Sequence, residues 1–564
     1  MIHGKKTLYW SGIALLLVFF FFIYSTLSFQ SYRNGIPLFN SPDETANYFF
    51  SKLFAEKGTL TFHEPLLSAS SGYLHPRSMT AVGDDVAPVS FLGLPVIYGF
   101  LAKVFGVNAI PFFTPAIASI SALFFFLLVR NVWSMQAALP AMILFLLHPA
   151  YLYNANRAML HNVLFVDLLI IGCALASQMV RMRKSAGALC MAFLAGIALG
   201  GSLWVRFSES IWILGLLPVL GIAFYRKLRI GIVAAFLAGL AVPLILMAQY
   251  NALVYGNPLL FGYQTPVIPQ AVQQIEQSAS IIQSLMHLDG AAAKTQIVAL
   301  LVSLKSALLP FGINPHLFKK TFLDYAVFFF LPFSILAAGG LFFFFWRGVV
   351  QIVRERSASR LFLLASYAAM GAWLIVFYGS WVFHDNLDKE VTIGTSYIRY
   401  WLPITIYSLP MVGELIAFLL ERCRGHVHRA FLAACIVCLA LLSFGQVFTG
   451  STESITAMAS SLASYHGKRQ FIADTTPQDS VLFSARSDKI FFPTRRVAEQ
   501  TSDFRELELV KGMYGRAPIY YYGLWSQQDA STVSKKYFEP YGFSLVFVAD
   551  ADSREHLYKV TEKQ

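Results

Sequence analysis

Two adjacent carboxylates follow the first long apolar run of the chain. Asp43 and Glu44 stand in the segment "NSPDETANYFFSKLF", residues 40–54, and the apolar run before them ends near Phe29. The aromatic side chains that follow have a spacing that would anchor a helix on a membrane surface. A carboxylate held there can act as a general base that removes the proton of an attacking hydroxyl group. The structural alternative is that the pair only caps the helix, where aspartate is a favoured residue.

Basic and aromatic side chains recur beside other apolar runs, on the side of the membrane predicted for Asp43. Each stands at the end of a predicted membrane helix or in a loop that follows one: Arg157, His161, Arg206, Arg399, Tyr400, Tyr263, and His75 with Arg77 in "YLHPRSM". Ionisable groups in a membrane are costly, so such groups are candidates for function. The structural alternative, for Arg206 and Arg399 in particular, is that the long side chain only reaches the membrane surface.

A carboxylate and several arginines on one membrane surface suit the transfer of a sugar from a lipid phosphate. The carboxylate removes the proton of an acceptor hydroxyl as its oxygen attacks the anomeric carbon of the sugar. Guanidinium groups bind the phosphate through paired hydrogen bonds and stabilise its charge as it leaves. We therefore predict that the arginines, together with the histidines and tyrosines of this set, bind the phosphate or the sugar of the donor.

The composition places most of the chain in lipid. Of 564 residues, 56% are hydrophobic and only 13% are charged, whereas soluble domains carry about 25% charged residues. Residues 450–564 hold 14 basic and 14 acidic residues, so the net charge of +12 belongs to the membrane part. A nucleic-acid-binding protein would carry a basic face on a soluble domain, and this class is therefore excluded. The five cysteines imply no disulfide framework.

The basic clusters predict which loops face the cytoplasm. Lys and Arg concentrate in cytoplasmic loops, and here they alternate with eleven predicted membrane helices, at roughly 8–28, 111–130, 135–152, 161–180, 185–203, 209–225, 230–250, 324–346, 360–379, 399–420 and 429–449. This arrangement puts the N-terminus in the cytoplasm and the C-terminus outside. The lack of glycosylation sequons and of a disulfide framework favours a multi-pass protein of a prokaryotic plasma membrane.

Two outer loops complete the predicted membrane part, residues 1–449. In the first outer loop, 29–110, the apolar stretch 88–106 is predicted to lie along the membrane surface. A crossing there would place every later loop, including the basic ones, on the opposite side of the membrane. In the large outer loop, 251–323, the stretch 295–311 receives the same interpretation.

The tail differs from the rest of the chain in its pattern. We predict a linker over residues 450–466 and a small α/β domain over 467–564. The segments "DSVLFSA", "FSLVFVAD" and "IYYYGLW" have the pattern of short buried strands, and "SQQDASTVSKKYFEPYG" opens with residues typical of a helix N-cap. The predicted fold is therefore a polytopic α-helical membrane protein of about eleven membrane helices, with surface helices in its outer loops and a C-terminal extracytoplasmic α/β domain.

The order and sidedness of these motifs resemble the GT-C superfamily of glycosyltransferases, which use polyprenyl-phosphate sugars. The protein O-mannosyltransferases and bacterial aminoarabinose transferases are most similar, through the segments "SPDETANYFFSKLFAEKGTL", "NRAMLHN", "YNALVYGNPLLFGY" and "SYIRYWLP". The resemblance covers residues 1–449 in layout. It implies a GT-C-like fold, a site that faces outward, a polyprenyl-phosphate sugar as donor and an acceptor that bears a hydroxyl group.

The resemblance also ranks the candidate residues. It implies that Asp43 is the catalytic base, with Glu44 as second choice. The aminoarabinose transferases carry a Lys-Pro-Pro segment near the phosphate, and "HPR" stands in a similar place here, so His75 or Arg77 is a candidate to replace it. Oligosaccharyltransferases hold a metal partly through an acid in the second outer loop, where this chain has only Arg157. A divalent metal is therefore disfavoured, no metal ligand is assigned, and no other cofactor is implied.

Two other classes of function stay open at the level of sequence. A transporter or flippase for an anionic lipid or solute often shows internal repeats and polar residues at mid-membrane depth, and neither is evident here. A non-enzymatic assembly protein of the cell envelope could use the C-terminal domain for docking. We predict instead an inverting membrane glycosyltransferase whose acceptor is a protein, a lipid or a cell-envelope glycan.

Overall fold

The structure is a computed structural model of the whole chain. The residues described below are 2–33, 36–182, 186–215, 229–263, 311–355, 359–383, 390–422, 425–450, 452–502, 504 and 506–563.

Helices make up most of the described residues. In chain order they are α1 (Ile2–Tyr24), α2 (Thr26–Ser31), α3 (Pro42–Lys57), α4 (Gly93–Phe105), α5 (Phe113–Val132), α6 (Met135–Leu147), α7 (Pro149–Asn156), α8 (His161–Arg181), α9 (Ala186–Val205), α10 (Ile230–Tyr255), α11 (Pro315–Phe322), α12 (Leu331–Glu355), α13 (Ser359–Gly379), α14 (Ser396–Tyr400), α15 (Leu402–Arg422), α16 (His426–Phe448), α17 (Ile455–Thr475), α18 (Asp488–Phe491), α19 (Leu507–Met513) and α20 (Gln527–Val533).

Nine spans among these residues are long and apolar enough to cross a bilayer, in agreement with the predicted polytopic fold. They are Leu8–Ser31, Val107–Val132, His161–Arg181, Ala186–Val205, Ile230–Tyr255, Leu331–Arg354, Arg360–Gly379, Leu402–Arg422 and Ala430–Phe448, and the bent pair α6–α7 would make a tenth. The remaining predicted helix, 209–225, lies mostly outside the described residues, and the predicted surface stretch 295–311 lies outside them except for its last residue, Phe311.

The bend between α6 and α7 has a local cause. Pro149 cannot continue a helix because it lacks the amide hydrogen that the preceding turn requires. α7 starts afresh there, with the His148 ring nitrogen accepting a hydrogen bond from the amide of Ala150 at 3.2 Å. The two helices meet at 55°.

A buried carboxylate, which the sequence analysis did not single out, joins α7 to its neighbours. Asp167 of α8 is fully buried and accepts hydrogen bonds from the Ser121 hydroxyl of α5 at 2.7 Å and from the Tyr151 hydroxyl of α7 at 2.5 Å. A polar group buried among apolar helices needs such partners. The three helices are thereby held in one arrangement.

The segment between α2 and α5 contains two helices and a small sheet, and we call residues 32–106 the first loop. The sheet is antiparallel with strand order β3-β5-β4, formed by β3 (Phe62–His63), β4 (Met79–Val82) and β5 (Asp85–Pro88), and a two-stranded ribbon of β1 (Tyr32–Arg33) and β2 (Ile36–Pro37) precedes it. α4 coincides with the stretch predicted to lie along the surface. Its 13 residues extend about 20 Å, too short for the hydrocarbon core of about 30 Å.

The C-terminal region contains a mixed five-stranded sheet of order β7-β6-β8-β10-β9. Its strands are β6 (Val481–Ser484), β7 (Arg496–Glu499), β8 (Ile519–Gly523), β9 (Phe543–Asp550) and β10 (His556–Glu562), with β6 parallel to both of its neighbours and the other pairs antiparallel. The three strands predicted from the sequence lie at β6, β8 and β9, and α20 begins at Ser526 with a capping box.

The first loop and the C-terminal sheet share one hydrophobic core. The ring of Phe492 lies 4.7 Å from the ring of Phe49 and 6.0 Å from that of Phe62, and buried residues of both regions belong to one cluster. α17 runs without a break through residue 466, where the linker was predicted to end, so the domain boundary stays a prediction. The C-terminal sheet and the first loop are packed as one unit.

Candidate active site at the start of the third helix

The two adjacent carboxylates lie in the first turn of α3 without capping it. The Ser41 side chain is the cap, since its oxygen accepts a hydrogen bond from the Asp43 amide at 3.3 Å, and Pro42 occupies the first helical position. Successive residues of a helix are rotated by about 100°. Asp43 and Glu44 therefore point to different sides of α3 and have different partners.

The Asp43 carboxylate is partly exposed and lies beside a hydroxyl group and a guanidinium group. Its Oδ1 accepts a hydrogen bond from the Ser78 hydroxyl at 2.5 Å, and its Oδ2 lies 3.9 Å from Nη2 of Arg399. The Asp43 side chain is 36% exposed and that of Arg399 16%. One carboxylate oxygen is thus oriented by a hydroxyl group, while the other faces a cation beyond hydrogen-bond distance.

Arg206 follows α9 and is held by a tyrosine and a glutamate. It donates to Glu209 from Nη2 at 3.0 Å and to the Tyr378 hydroxyl at 2.8 Å. Glu209 also accepts from the indole nitrogen of Trp212 at 2.6 Å. The guanidinium carbon lies 4.5 Å from the ring centre of Tyr400. These contacts fix a buried guanidinium group beside the aromatic ring that follows Arg399.

Arg399 and Tyr400 end the short helix α14, which presents a cation beside an aromatic surface. The Tyr400 ring stacks on that of Tyr378 at 4.4 Å, with 3° between the ring planes. The side-chain amide of Asn162, from α8, donates to the Arg399 carbonyl at 3.2 Å. The chain segment that carries Arg399 is therefore bound to the start of α8.

His161 and Tyr263 border the same cluster. The side-chain amide of Asn47, one turn after Asp43, lies 3.3 Å from Nδ1 of His161, whose Nε2 lies 3.0 Å from the Phe91 carbonyl. This network puts the ring proton on Nε2 and leaves Nδ1 to accept, so both nitrogens are occupied. Tyr263 lies within electrostatic range of Asp43 and is 54% exposed.

Glu44 and Arg157 form a closed pair on the other side of α3. Arg157 donates from Nε to both Glu44 oxygens at 3.0 Å and from Nη2 to Oε2 at 2.7 Å. The side chains are only 4% and 8% exposed. The structure therefore does not bring Arg157 into the Asp43 cluster, although the sequence analysis grouped them.

His75 and Arg77 also lie apart from the cluster, toward the C-terminal sheet. Arg77 donates from Nε and Nη2 to Oδ1 of Asp488 at 3.0 and 2.6 Å, and its amide donates to Oδ2 at 2.8 Å. Burial lowers the pKa of His75, whose Nδ1 lies 2.9 Å from the Pro76 carbonyl. A neutral imidazole and a guanidinium group bound to Asp488 are poorly suited to hold a phosphate.

The Asp43 cluster fits a divalent cation poorly. Its described residues supply the carboxylate of Asp43 against the guanidinium groups of Arg206 and Arg399, and Glu209 is already bound to Arg206 and Trp212. Across the part of the chain that the structure describes, no group of three or more His, Cys, Asp or Glu side chains has a metal-binding arrangement.

Three residues that the sequence analysis passed over complete the setting of the cluster. Asn47 could have been found, because a polar residue four positions after Asp43 lies on the same helix face. Ser78 and Tyr378 gave no such signal. A serine in a loop and a tyrosine in an apolar helix are common, and only tertiary contacts bring them to Asp43 and Arg206.

The fold has counterparts among solved structures, although no family model and no curated protein matches the sequence. The archaeal oligosaccharyltransferase AglB from Archaeoglobus fulgidus, in complex with an inhibitory peptide and a dolichol-phosphate, is 12% identical with a TM-score of 0.54, covering 99% of this chain and 75% of that chain. An oligosaccharyltransferase of the same organism tethered with an acceptor peptide is 13% identical with a TM-score of 0.53, covering 99% of this chain and 74% of that chain.

Another solved structure aligns with this chain at a lower score. ArnT from Cupriavidus metallidurans bound to undecaprenyl phosphate is 12% identical with a TM-score of 0.41, covering 97% of this chain and 98% of that chain. The fold assignment rests on AglB, which has the higher score. The membrane helices and the C-terminal α/β region confirm the predicted fold class, and the chain shares the fold of the oligosaccharyltransferase AglB.

Proposed function

We propose that the protein is a membrane glycosyltransferase that moves a sugar from a polyprenyl phosphate to an acceptor hydroxyl group, with Asp43 as general base. One observation carries the proposal. A partly exposed carboxylate, oriented by Ser78, faces the guanidinium group of Arg399 within a fold shared with AglB, whose structure contains a dolichol-phosphate. A base and a phosphate-binding cation side by side are what this transfer requires.

The reaction is a single displacement at the anomeric carbon. The acceptor oxygen forms a bond to this carbon as the bond to the phosphate oxygen breaks, and the bonding electrons leave with the phosphate. Asp43 takes the proton of the acceptor hydroxyl. Arg399 stabilises the charge that develops on the phosphate, while Arg206, whose guanidinium group Glu209 and Tyr378 already bind, adds positive charge beside it. Since the cluster offers one carboxylate as base and none is assigned as nucleophile, we expect the configuration of the sugar to invert.

The residues around the cluster hold its helices in place or form its border. Glu44 and Arg157 hold the start of α3 against the end of α7, while His161 and Tyr263 shape the border of the site. We further propose that the cluster faces away from the cytoplasm, since the basic turns of the chain favour that orientation. The acceptor is then a hydroxyl-bearing protein, lipid or glycan of the cell envelope.

Transfer of radioactive sugar tests the function. Purified protein would be incubated with a panel of radiolabelled undecaprenyl-phosphate sugars and a membrane extract as acceptor, beside the variant Asp43→Asn. We expect label to enter extract material from at least one donor with the wild type, and far less with the variant. If no donor is used but undecaprenyl phosphate is moved between the leaflets of vesicles, a flippase is the better interpretation. If neither occurs, an assembly role is favoured.

Equal transfer by the wild type and Asp43→Asn would leave a transferase but remove Asp43 as its base. The matched control is Asp84→Asn, which alters a carboxylate of the same loop that accepts from Ser68 and is not part of the cluster. This control should transfer sugar at the wild-type rate.

A further inference from the structure

The setting of Asp43 depends on two consecutive residues of the C-terminal region. Asp488, fully buried at the start of α18, binds Arg77, the residue before Ser78. Lys489, its neighbour in sequence, donates from Nζ to the carbonyl of Asn40 at 2.5 Å. Asn40 is followed by Ser41, the cap of α3. Each of the two segments that meet at the Asp43 carboxylate is thus bound by one residue of this dipeptide.

Arg77 is bound to Asp488 through both its main chain and its side chain. Asp488 receives three hydrogen bonds from Arg77, one from the main chain and two from the guanidinium group, and Nη2 also donates to the Arg486 carbonyl at 2.8 Å. Hydrogen bonds to charged groups are shorter and stronger than neutral ones. Both the backbone and the side chain at position 77 are therefore fixed relative to α18.

Ser78 needs such a restraint because of its backbone. Its φ is +64°, in the left-handed region that a non-glycine residue rarely adopts. Such a conformation is energetically unfavourable and persists only where the surroundings enforce it. On one side the restraint is Arg77, and on the other the Val89 amide donates to the Ser78 carbonyl at 3.2 Å, where β4 begins.

From these contacts we infer that Asp488 and Lys489 are positioning residues of the C-terminal region, which hold Ser78 and the start of α3 so that the Asp43 carboxylate is oriented for catalysis. This inference rests on the proposed role of Asp43. It gives the C-terminal region a part in the chemistry of the membrane domain: without the Asp488 contact, Ser78 relaxes from its left-handed conformation and its hydroxyl leaves the carboxylate.

The test compares two ion pairs that join the same two regions. Asp488→Asn removes the charge that binds Arg77, whereas the control Glu64→Gln weakens the bond between Arg496 and Glu64, whose Nε–Oε1 distance is 2.9 Å. Both variants loosen the attachment of the C-terminal sheet to the first loop. Only Asp488→Asn is expected to disturb Ser78.

The readouts are turnover with the donor found above, affinity for undecaprenyl phosphate, and amide hydrogen exchange. We expect Asp488→Asn and Ser78→Ala each to slow turnover by about 10- to 100-fold, since small misplacements of a catalytic group have costs of this size. Affinity for undecaprenyl phosphate should stay near the wild-type value. Exchange should accelerate in residues 75–82 with Asp488→Asn but not with Glu64→Gln.

The double variant separates positioning from independent effects. If Asp488 acts through Ser78, then Asp488→Asn with Ser78→Ala is no slower than the slower single variant. The inference is overturned if the slowing of turnover in the double variant is the product of the two single effects. It is also overturned if hydrogen exchange in residues 75–82 is unchanged, or if Glu64→Gln slows turnover as much as Asp488→Asn. Should Asp488→Asn not fold, Arg77→Lys, which keeps the charge but loses the paired hydrogen bonds, takes its place.

Failure of this inference can be told from failure of the proposed function. If Asp43→Asn is slow while Asp488→Asn turns over at the wild-type rate, only the inference fails. If Asp43→Asn is as fast as the wild type, Asp43 is not the base and the inference about its positioning falls with it. Hydrogen exchange still shows, independently of any donor, whether Asp488 restrains residues 75–82.

Discussion

The two sides of α3 present the same chemical group in opposite settings. Asp43 is partly exposed, has a hydroxyl group at 2.5 Å and keeps its cation at 3.9 Å. Glu44, the next residue, is buried and bound by three hydrogen bonds from one guanidinium group. An arginine that a carboxylate occupies so fully has little capacity left for a phosphate. The looser pair is therefore the one suited to catalysis, and the tighter one to structure.

This difference shows why neighbouring residues of the same type need not share a role. Successive side chains of a helix point in different directions, so Asp43 and Glu44 lie in two separate environments. Binding a substrate requires groups that are held in place and that the substrate can still reach, whereas structural stability favours groups that are buried with their partners. The variants below test whether Asp43 and its partners determine turnover while Glu44 and Arg157 determine stability.

The largest expected effect is on turnover by Asp43→Asn. The change keeps the size of the side chain and one acceptor for Ser78 but removes the base, and a general base contributes typically ~10²–10⁴-fold to the rate. We expect a loss of that size in sugar transfer, with a melting temperature in detergent close to that of the wild type. A large fall in melting temperature would instead give Asp43 the structural role assigned to Glu44.

On the other side, Glu44→Gln should impair stability rather than chemistry. It leaves Arg157 buried without its anionic partner, and breaking a buried pair in this way costs about 3–5 kcal/mol. Thermal unfolding in detergent measures the loss, and turnover per folded molecule should stay near the wild-type value. A stable Glu44→Gln protein with little turnover would make Glu44 part of the catalytic machinery.

A double replacement sharpens this prediction. Glu44→Met with Arg157→Met removes both charges, and well-packed apolar pairs often match or exceed the stability of a buried ion pair. We expect the double variant to recover most of the stability that Glu44→Gln loses, as measured by the same unfolding experiment. If Arg157 binds donor phosphate, the recovered protein would nevertheless bind undecaprenyl phosphate weakly.

A smaller effect is expected from Arg399→Lys. Lysine keeps the charge but loses the planar donors of the guanidinium group, which corresponds to about 1.4 kcal/mol, or tenfold, in affinity for undecaprenyl phosphate. The matched control is Arg360→Lys, since Arg360 binds Glu414 at 2.5 Å and is not part of the cluster. Equal losses in both variants would show a general effect of arginine replacement.

The smallest effect concerns Lys489, which lies within electrostatic range of Glu44 and Arg157. Burial, with the nearby charge of Arg77, lowers the pKa of Lys489 to about 8 from 10.5. As pH increases, Lys489 loses its proton at a lower pH in the folded state than in the unfolded state. The free energy of unfolding therefore rises as pH increases through 8 toward 10.5, and this stability is lost as pH falls through 8. Relative to Lys489→Met, the wild type should gain about 1 kcal/mol between pH 7 and pH 9, measured by unfolding at each pH.

The sequence predicted the membrane helices because lipid leaves few alternatives to long apolar helices. α4 was also predicted from length and charge, since a crossing there conflicted with the basic turns. β7 and β10 were not. β10 does not alternate strictly between apolar and polar residues in "HLYKVTE", and its place in the sheet depends on its partners β8 and β9.

Within the site, the sequence identified residue types better than partners. Asp43, Arg206 and Arg399 come from distant parts of the chain, and their positions beside apolar runs were enough to suggest a shared surface. The same reasoning grouped Arg157 and Arg77 with them, because a sequence shows a cation but not the carboxylate that neutralises it. Glu44 and Asp488 are those carboxylates, and only the folded chain brings them into contact.

The shared core of the first loop and the C-terminal sheet has a consequence for biosynthesis. Asn40 and Lys489 are 449 residues apart in the chain, and at ~5–20 residues per second the ribosome needs roughly 20–90 s to pass from one to the other. During that interval the apolar surface formed by Phe49 and Phe62 has no Phe492 to cover it. Insertion of the last membrane helix therefore precedes completion of the site, and any factor that shields the first loop during synthesis would determine how much active protein a cell obtains.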